Sequence, residues 1–85
     1  MIKKFVEMIN IKIEEEESLT IGMEYGSVTM FNSIIPDSIN IDHGIYLKGE
    51  WLELHFPEDC EIEYDDFEEE YIIKYNDMFF YFLLN

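Results

Sequence analysis

Hydrophobic and polar residues alternate along much of this chain with a period of two, which is the pattern of half-buried β-strands. In the first clear example, Leu19, Ile21 and Met23 share one face of a predicted strand. Tyr25-Gly26 then provides a turn before the mainly apolar residues 28–31. This segment is predicted to form a β-hairpin.

A second hairpin is predicted across Lys48-Gly49, which joins residues 45–47 to residues 51–56. Leu52, Leu54 and Phe56 lie on one face of its second strand. A two-residue turn of this kind requires a positive φ, which glycine adopts without steric cost. We therefore expect Gly49 to have a positive φ.

A third hairpin is predicted across Asn76-Asp77, since both residue types tolerate a left-handed backbone. It joins residues 70–75 to residues 78–84, and residues 78–84 are apolar at every position. A strand that is apolar on both faces has to be central in its sheet or covered by a partner, because a bare edge of this kind would aggregate.

The N-terminal segment fits two structures. Residues 1–8 are compatible with a short amphipathic helix, because Phe5 and Ile9 are four residues apart, but they could equally open a strand. From Ile9 onward, the alternation with Ile11 and Ile13 predicts a strand that runs into four consecutive glutamates.

The remaining segments are predicted from turn residues and shorter patterns. Residues 33–38 contain Pro36-Asp37 and are predicted to be a loop, and residues 39–41 a short strand. Residues 61–64 alternate acidic with apolar side chains, so their apolar face should meet the core. Residues 65–69 form a polar connection with room for one helical turn.

Together these elements predict a mainly β fold with seven or eight short strands. Antiparallel pairing through short turns favours a small meander or barrel. The sequence also allows one short N-terminal helix. The absence of alanine and glutamine and the abundance of Ile, Phe and Tyr favour strands as well. With 85 residues, the chain is expected to form one acidic domain over residues 1–85.

The charge balance excludes several kinds of partner. Twenty acidic residues against five lysines and no arginine give a net charge of -15. Direct binding to DNA or RNA depends on clustered Lys and Arg, so neither nucleic acid nor an anionic membrane is an expected partner.

The chain is nevertheless expected to fold, because 16% of its residues are aromatic. A lone cysteine and the lack of a signal-peptide pattern favour a cytoplasmic protein.

The acidic residues are concentrated in sequence. Between Gly49 and Ile73 there are eleven acids and no Lys or Arg, and nine of the eleven lie within residues 58–70. Such crowding opposes folding, which suggests that it serves a basic partner. The predicted partner-binding residues are Glu14, Glu15, Glu16, Glu17, Glu58, Asp59, Glu61, Glu63, Asp65, Asp66, Glu68, Glu69 and Glu70.

Charge density limits the idea of phosphate mimicry. An extended segment 58–70 would carry one charge per about 4.9 Å, at about 3.4 Å per residue. One strand of duplex DNA carries one charge per about 3.4 Å of axis. Mimicry would therefore require the fold to bring residues 14–17, Glu50 or Glu53 alongside this segment.

In its small size, its lack of arginine and its acidic cluster at 58–70, the chain resembles the acidic DNA-mimic inhibitors of phages and mobile elements, which include several anti-CRISPR proteins. The resemblance implies an inhibitor that occupies a basic nucleic-acid channel of a nuclease or CRISPR effector. Glu and Asp would stand where phosphates sit. Tyr64, Phe67 and Tyr71 would be candidates for insertion at the interface, although core packing is the better expectation for Tyr64.

No cofactor, metal or catalytic site is predicted. Cys60, His43 and His55 lack the short paired spacing of zinc ligands. The acidic segment lacks the alternating ligands and central glycine of an EF-hand loop. Nothing about Ser33, Asp42 or His43 indicates a catalytic nucleophile. We therefore expect a protein that is not an enzyme.

Three alternatives remain open from the sequence. The chain could be an immunity protein that neutralises a basic toxin through the same electrostatics. It could be an assembly module whose apolar last strand pairs with the sheet of a partner. The acids could also form only a solubilising surface. A homodimer is compatible with any of these functions.

Overall fold

The computed structural model describes residues 2–84 and contains one helix and eight strands over that range. The helix and the first four strands are α1 (Ile2–Glu14), β1 (Leu19–Tyr25), β2 (Val28–Ile34), β3 (Pro36–Ile41) and β4 (Gly44–Gly49). The remaining strands are β5 (Glu53–Pro57), β6 (Glu61–Asp65), β7 (Glu70–Tyr75) and β8 (Met78–Leu83). Within residues 2–84, no helix is long and apolar enough to cross a membrane.

The strands form two antiparallel sheets. The large sheet has the order β2-β1-β8-β7-β6 and the small sheet has the order β3-β4-β5. The mainly β prediction with one N-terminal helix is confirmed. The barrel alternative is wrong, because the described strands make two open sheets and no closed one.

The last strand, β8, lies in the middle of the large sheet. It is hydrogen-bonded to β1 on one side and to β7 on the other. This position confirms the central alternative, and the core beneath the sheet accounts for the apolar residues Phe80 and Phe82 on one of its faces. It also removes the basis for the assembly-module hypothesis, because a strand that is paired on both sides has no free edge to offer to another sheet.

The core lies on one face of the large sheet, beneath the helix and the small sheet. Phe82 of β8 is fully buried, and its ring centroid is 4.9 Å from that of Phe5 in the helix and 6.1 Å from that of Phe56 in β5. Phe56 also meets Phe80 edge-on at 4.8 Å. Edge-to-face aromatic packing thus joins the three layers.

The strand predicted for residues 9–13 is wrong, because these residues continue the helix. Phe5 and Ile9 are both fully buried, which fits their four-residue spacing along one helical face. Ile11 would share a face with Ile9 in a strand, yet it is 53% exposed. The period-two pattern of the isoleucines was therefore misleading, and burial of Phe5 with Ile9 determined the structure.

The loop predicted for residues 33–38 is also wrong. Strand β2 continues to Ile34, and β3 begins at Pro36, where proline is tolerated as the first residue of a strand. A register shift between Pro36 and Ser38 accommodates the proline. The short strand predicted for residues 39–41 is confirmed as the second half of β3.

The predicted two-residue turn at Lys48-Gly49 is wrong in detail. Gly49 is the last residue of β4, opposite Pro36, and it does not have a positive φ. Its N–H donates to the carbonyl of Leu52 across a longer turn, at 2.8 Å. A Cβ at Gly49 would lie 2.8 Å from Cδ1 of Ile34, so close packing between the sheets explains the glycine.

The other two predicted hairpins are confirmed. Gly26 has a φ of 60° in the β1–β2 turn, and Asn76 has a φ of 54° in the β7–β8 turn. Strand β6 has the predicted arrangement as well, since Glu61 and Glu63 are exposed while Ile62 and Tyr64 pack against the core.

The other face of the large sheet has no layer over it within residues 2–84. Phe79, Tyr81 and Leu83 of β8 lie on this open face and are half-buried between the neighbouring strands. At the β2 edge the ring of Phe31 lies over Gly22, where a Cβ would be 2.6 Å from Cε1 of the ring. The hydroxyl of Tyr81 donates to the carboxylate of Glu24 at 3.0 Å.

We expect Phe5→Ala to lower the free energy of unfolding by about 3–5 kcal/mol, because it removes a fully buried aromatic ring that contacts Tyr71 and Phe82. The matched control Ile11→Ala truncates an exposed side chain of the same helix and should change it by less than about 0.5 kcal/mol. Urea unfolding followed by circular dichroism measures both. Equal effects would contradict the assigned face of the helix.

Candidate partner-binding site at the acidic end

Two acidic segments that are distant in sequence meet at one end of the large sheet. We call residues 14–17 together with residues 65–70 the acidic end. It holds nine of the twenty acids of the chain. Residues 14–17 close the helix and lead into β1, and residues 65–70 connect β6 to β7.

Lys12 joins the two segments. Its Nζ lies 3.3 Å from Oε2 of Glu17 and donates to the backbone carbonyl of Leu84 at 3.2 Å. The N–H of Leu84 donates in turn to the carbonyl of Glu69, at 3.2 Å. Only 12% of the Lys12 side chain is exposed, so its ammonium group serves to connect these parts of the fold. The sequence pattern had given no indication of this role.

The connection between β6 and β7 has a defined geometry. Oδ1 of Asp65 accepts hydrogen bonds from the N–H groups of Phe67, at 2.9 Å, and Glu68, at 3.2 Å. A carboxylate that bonds backbone groups two and three residues ahead fixes a turn locally. Glu69 completes the connection with a φ of 53°.

This turn leaves the side chain of Phe67 outside the fold. Phe67 is 91% exposed, whereas Tyr71 is buried and Tyr64 packs against Tyr71 with ring centroids 4.9 Å apart. The structure therefore separates the three aromatics that were candidates for an interface. Tyr64 and Tyr71 belong to the core side of the sheet, and Phe67 projects from among five acids. One signal for this was present in the sequence, since Phe67 has no alternating apolar neighbour.

The remaining predicted partner-binding residues continue from the acidic end along β6. Glu61 and Glu63 are exposed on this edge strand. Glu58 and Asp59 lie beyond its far end, where Oε2 of Glu58 is 3.7 Å from Nδ1 of His43. Phosphate mimicry was expected to require residues 14–17, Glu50 or Glu53 beside the acidic segment 58–70. Of these, the fold brings residues 14–17 close to the 65–70 turn.

Glu50 and Glu53 belong instead to the small sheet. Glu50 lies in the β4–β5 turn, and Oε1 of Glu53 is 3.8 Å from Nζ of Lys48. Neither residue contributes to the acidic end.

Repulsion at the acidic end is visible at Glu70. Its partner across the β6–β7 ladder is Asp65, and like charges directly opposite each other destabilise a sheet. Burial, together with the charges of Asp65 and Glu68, raises the pKa of the Glu70 carboxyl above its usual value. The ionised form of Glu70 is thus less favourable in the folded protein than in the unfolded chain.

Residues 14–17 are unfavourably placed for helix stability. The N–H of Glu17 donates to the carbonyl of Lys12 and that of Glu16 to the carbonyl of Ile13, which together form a Schellman motif. Glu16 occupies the left-handed position, with a φ of 53°, where glycine is preferred. Acidic side chains also interact unfavourably with the C-terminal end of a helix dipole.

Glu15 and Glu17 influence each other at this helix end. Hydrogen bonding and charge repulsion from Glu17 raise the pKa of Glu15. Hydrogen bonds from Glu15 and Lys12 lower the pKa of Glu17. Glu15 is thus the first of this pair to take up a proton when the pH falls.

The potential metal ligands of the described residues do not cluster. Within residues 2–84, no group of three or more His, Cys, Asp or Glu is placed to hold a metal ion. Cys60, Ile2 and His43 line an open groove of about 340 Å³. Burial and the charge of Asp59 raise the pKa of the Cys60 thiol, so the less reactive thiol form is favoured.

Comparison with known proteins adds no relative from which a role could be inferred. No protein-family model, curated protein or solved structure matches the chain. The candidate site therefore depends on its own geometry, which is an exposed aromatic side chain, Phe67, among the five acids of residues 65–70, with residues 14–17 at the same end of the sheet.

We expect Glu70→Gln to stabilise the protein at neutral pH. The raised pKa of Glu70 means that its ionised form opposes folding above that pKa, whereas below about pH 4, the unfolded value, both states are protonated. The gain should therefore be present at pH 7 and absent near pH 3. Urea midpoints at the two pH values measure it.

The control for this change is Glu53→Gln, which removes a charge that lies opposite Lys48. This variant should show no gain in urea midpoint at pH 7. A Glu70→Gln gain that persisted unchanged at pH 3 would contradict the electrostatic explanation.

Proposed function

We propose that this protein is a non-enzymatic inhibitor that binds a basic nucleic-acid-processing protein, such as a nuclease or CRISPR effector, and prevents it from binding nucleic acid. The acidic end would occupy the place of phosphates on the basic surface of the target. Phe67 would be the apolar anchor of the contact.

The exposure of Phe67 is the observation that carries this proposal. A surface that only keeps a protein soluble gains nothing from an aromatic ring that is 91% exposed. Interfaces, in contrast, combine a few aromatic anchors with a polar or charged rim, and the anchors contribute most of the binding energy. The hydrogen bonds of Asp65 hold the turn that carries Phe67 outward, and acidic residues flank Phe67 in this turn. Phe67 and these acids therefore resemble a small interface with an aromatic anchor and a charged rim.

The stability costs at the acidic end support the same proposal. Glu16 and Glu69 have left-handed backbones, and Glu70 faces Asp65 across the sheet. Each of these features lowers folding stability, by about 1 kcal/mol or more for a non-glycine residue in a strained backbone region. Local conflicts of this kind are expected where a protein uses residues for binding rather than for folding.

Charge density also supports mimicry better in the folded protein than in the extended sequence. The fold adds four acids, residues 14–17, to the five of residues 65–70, and β6 continues the row with Glu61 and Glu63 about 6.8 Å apart. A basic groove would thus meet two acidic segments side by side.

The first test replaces the proposed anchor. Because Phe67 is almost fully exposed, Phe67→Ala should leave the urea midpoint unchanged, but it should weaken binding to the target by about 30-fold, corresponding to about 2 kcal/mol for an interface anchor. The matched control is Trp51→Ala, which removes a 60% exposed aromatic from the β4–β5 turn. Purified RNA-guided and restriction nucleases serve as probes, in competition with labelled duplex DNA.

The second arm of this test concerns charge. The variant Glu61→Gln/Glu63→Gln/Asp65→Asn/Asp66→Asn and the control Glu7→Gln/Asp37→Asn/Glu50→Gln/Asp77→Asn each remove four charges from the net -15. The first variant should inhibit more weakly than the wild type. Its inhibition should also decrease less when salt is raised from about 0.05 M to about 0.5 M, whereas the control should behave nearly like the wild type. If the two variants behave alike, or if no probe competes with DNA, the proposal is wrong.

A further inference from the structure

The edge of β2 differs from the other free edges of the two sheets. At the opposite edge of the large sheet, β6 exposes Glu61 and Glu63. In the small sheet, β5 contains Glu53 and Pro57, and β3 contains Asp37 and packs against the helix. Charge and proline on an edge discourage pairing with another strand. Strand β2 has neither.

The edge of β2 is also unusually apolar for this chain. Residues 25–36 contain no charged side chain, which makes them the longest uncharged stretch in a sequence that is 29% charged. Within this stretch Val28, Met30 and Phe31 are exposed by 59%, 53% and 59%, and the adjacent Tyr25 by 61%. Apolar side chains are thus exposed on both faces of a single edge strand.

The backbone of β2 offers a defined set of free groups. Tyr25 and Val28 close the two-residue turn as a hydrogen-bonded pair, and the pairs alternate from there along the antiparallel ladder. The N–H and C=O groups of Thr29, Phe31 and Ser33 therefore point away from β1. Within residues 2–84 no strand lies beyond them.

We propose that a second copy of this chain pairs with β2 in antiparallel orientation about a two-fold axis, with Phe31 opposite Phe31 of the second copy. This register places Thr29 opposite Ser33 of the other chain and uses all three free residues of each strand. Each of the three resulting pairs can exchange two backbone hydrogen bonds. The two Phe31 rings lie side by side on the joined open faces.

Electrostatics favours a second copy over a basic partner at this edge. Two molecules that each carry a net charge of -15 can approach closely only where their surfaces are neutral, and β2 is the edge strand without charge. A basic partner would be attracted to the acidic end instead. Glu24 on β1 lies beside this edge, and its carboxylate accepts hydrogen bonds from Tyr81, at 3.0 Å, and Thr29, at 3.5 Å.

This inference does not depend on the proposed function, and salt separates the two. Screening weakens the attraction between the acidic end and a basic target, but it also weakens the repulsion between two acidic copies. Salt should therefore loosen the complex with a target and tighten the dimer.

Analytical ultracentrifugation of the full chain tests the pairing. We expect a monomer–dimer equilibrium whose dissociation constant falls at least about threefold between about 0.05 M and about 0.5 M salt. Hydrogen exchange should show protection that increases with protein concentration at the amides of Thr29, Phe31 and Ser33. A protein that remains monomeric up to about 1 mM in the higher salt overturns the proposal.

Two variants locate the interface. Phe31→Glu places like charges opposite each other at the two-fold axis, and Thr29→Pro removes an outward N–H that the monomer does not use. Each should weaken the dimer at least about tenfold. The matched control Tyr25→Glu adds the same charge outside the register and should have less than about a threefold effect. Dimers that form equally well in all three variants would show that another surface pairs.

Circular dichroism verifies that each variant retains its fold. Phe31→Glu could unfold because the ring no longer covers Gly22. In that case the test is the comparison of the dimer dissociation constants of Thr29→Pro and the wild type. A dimer unaffected by that proline overturns the proposal.

Discussion

The packing of Phe82 against both other layers is the contact on which the rest of the structure depends. Its ring meets Phe5 of the helix and Phe56 of the small sheet, and it lies on the central strand of the large sheet. The buried core of the described residues consists of hydrophobic side chains without a buried charge. Burial of this apolar surface has to outweigh both the loss of chain entropy and the mutual repulsion of the acids.

That repulsion explains where the acids can lie. Most of them lie at the end of the helix, in turns between strands and along the edge strand β6. Several of these positions are nevertheless poor for stability, such as Glu16 at the left-handed end of the helix and Glu70 opposite Asp65. A selection for solubility alone would favour sites without such costs, and both residues belong to the acidic end.

The parts of the fold that could be predicted are those determined by neighbouring residues. The hairpins at Gly26 and Asn76 follow from turn chemistry and alternation, and the two apolar faces of β8 left two alternatives, a central strand or a strand covered by a partner. The helix was partly missed because Ile9, Ile11 and Ile13 fit a strand as well as a helix, and only the docking of Phe5 against Phe82 decides between them. The glycine at position 49 is explained by the closeness of Ile34 in the other sheet, and no local pattern contains that contact.

The candidate site divides in the same way. The acidic segments could be identified from the sequence, but their meeting could not, because it depends on Lys12 reaching the carbonyl of Leu84 across 72 positions of sequence. The exposure of Phe67 likewise depends on the hydrogen bonds of Asp65 within one turn. Composition thus predicted the chemistry of the site, and the tertiary structure supplied its geometry.

The order of the strands separates the acidic and neutral edges of the large sheet. Strands β6 and β2 are four strand spacings apart, or about 19 Å at about 4.8 Å per spacing. This distance exceeds the screening length of about 8 Å at physiological ionic strength. In a dimer joined through β2, the two β6 edges would lie nine spacings apart, about 43 Å, and would hardly repel each other. One sheet can therefore carry a charged edge for a basic target and a neutral edge for its own copy, because the strands between them keep the two edges electrostatically independent.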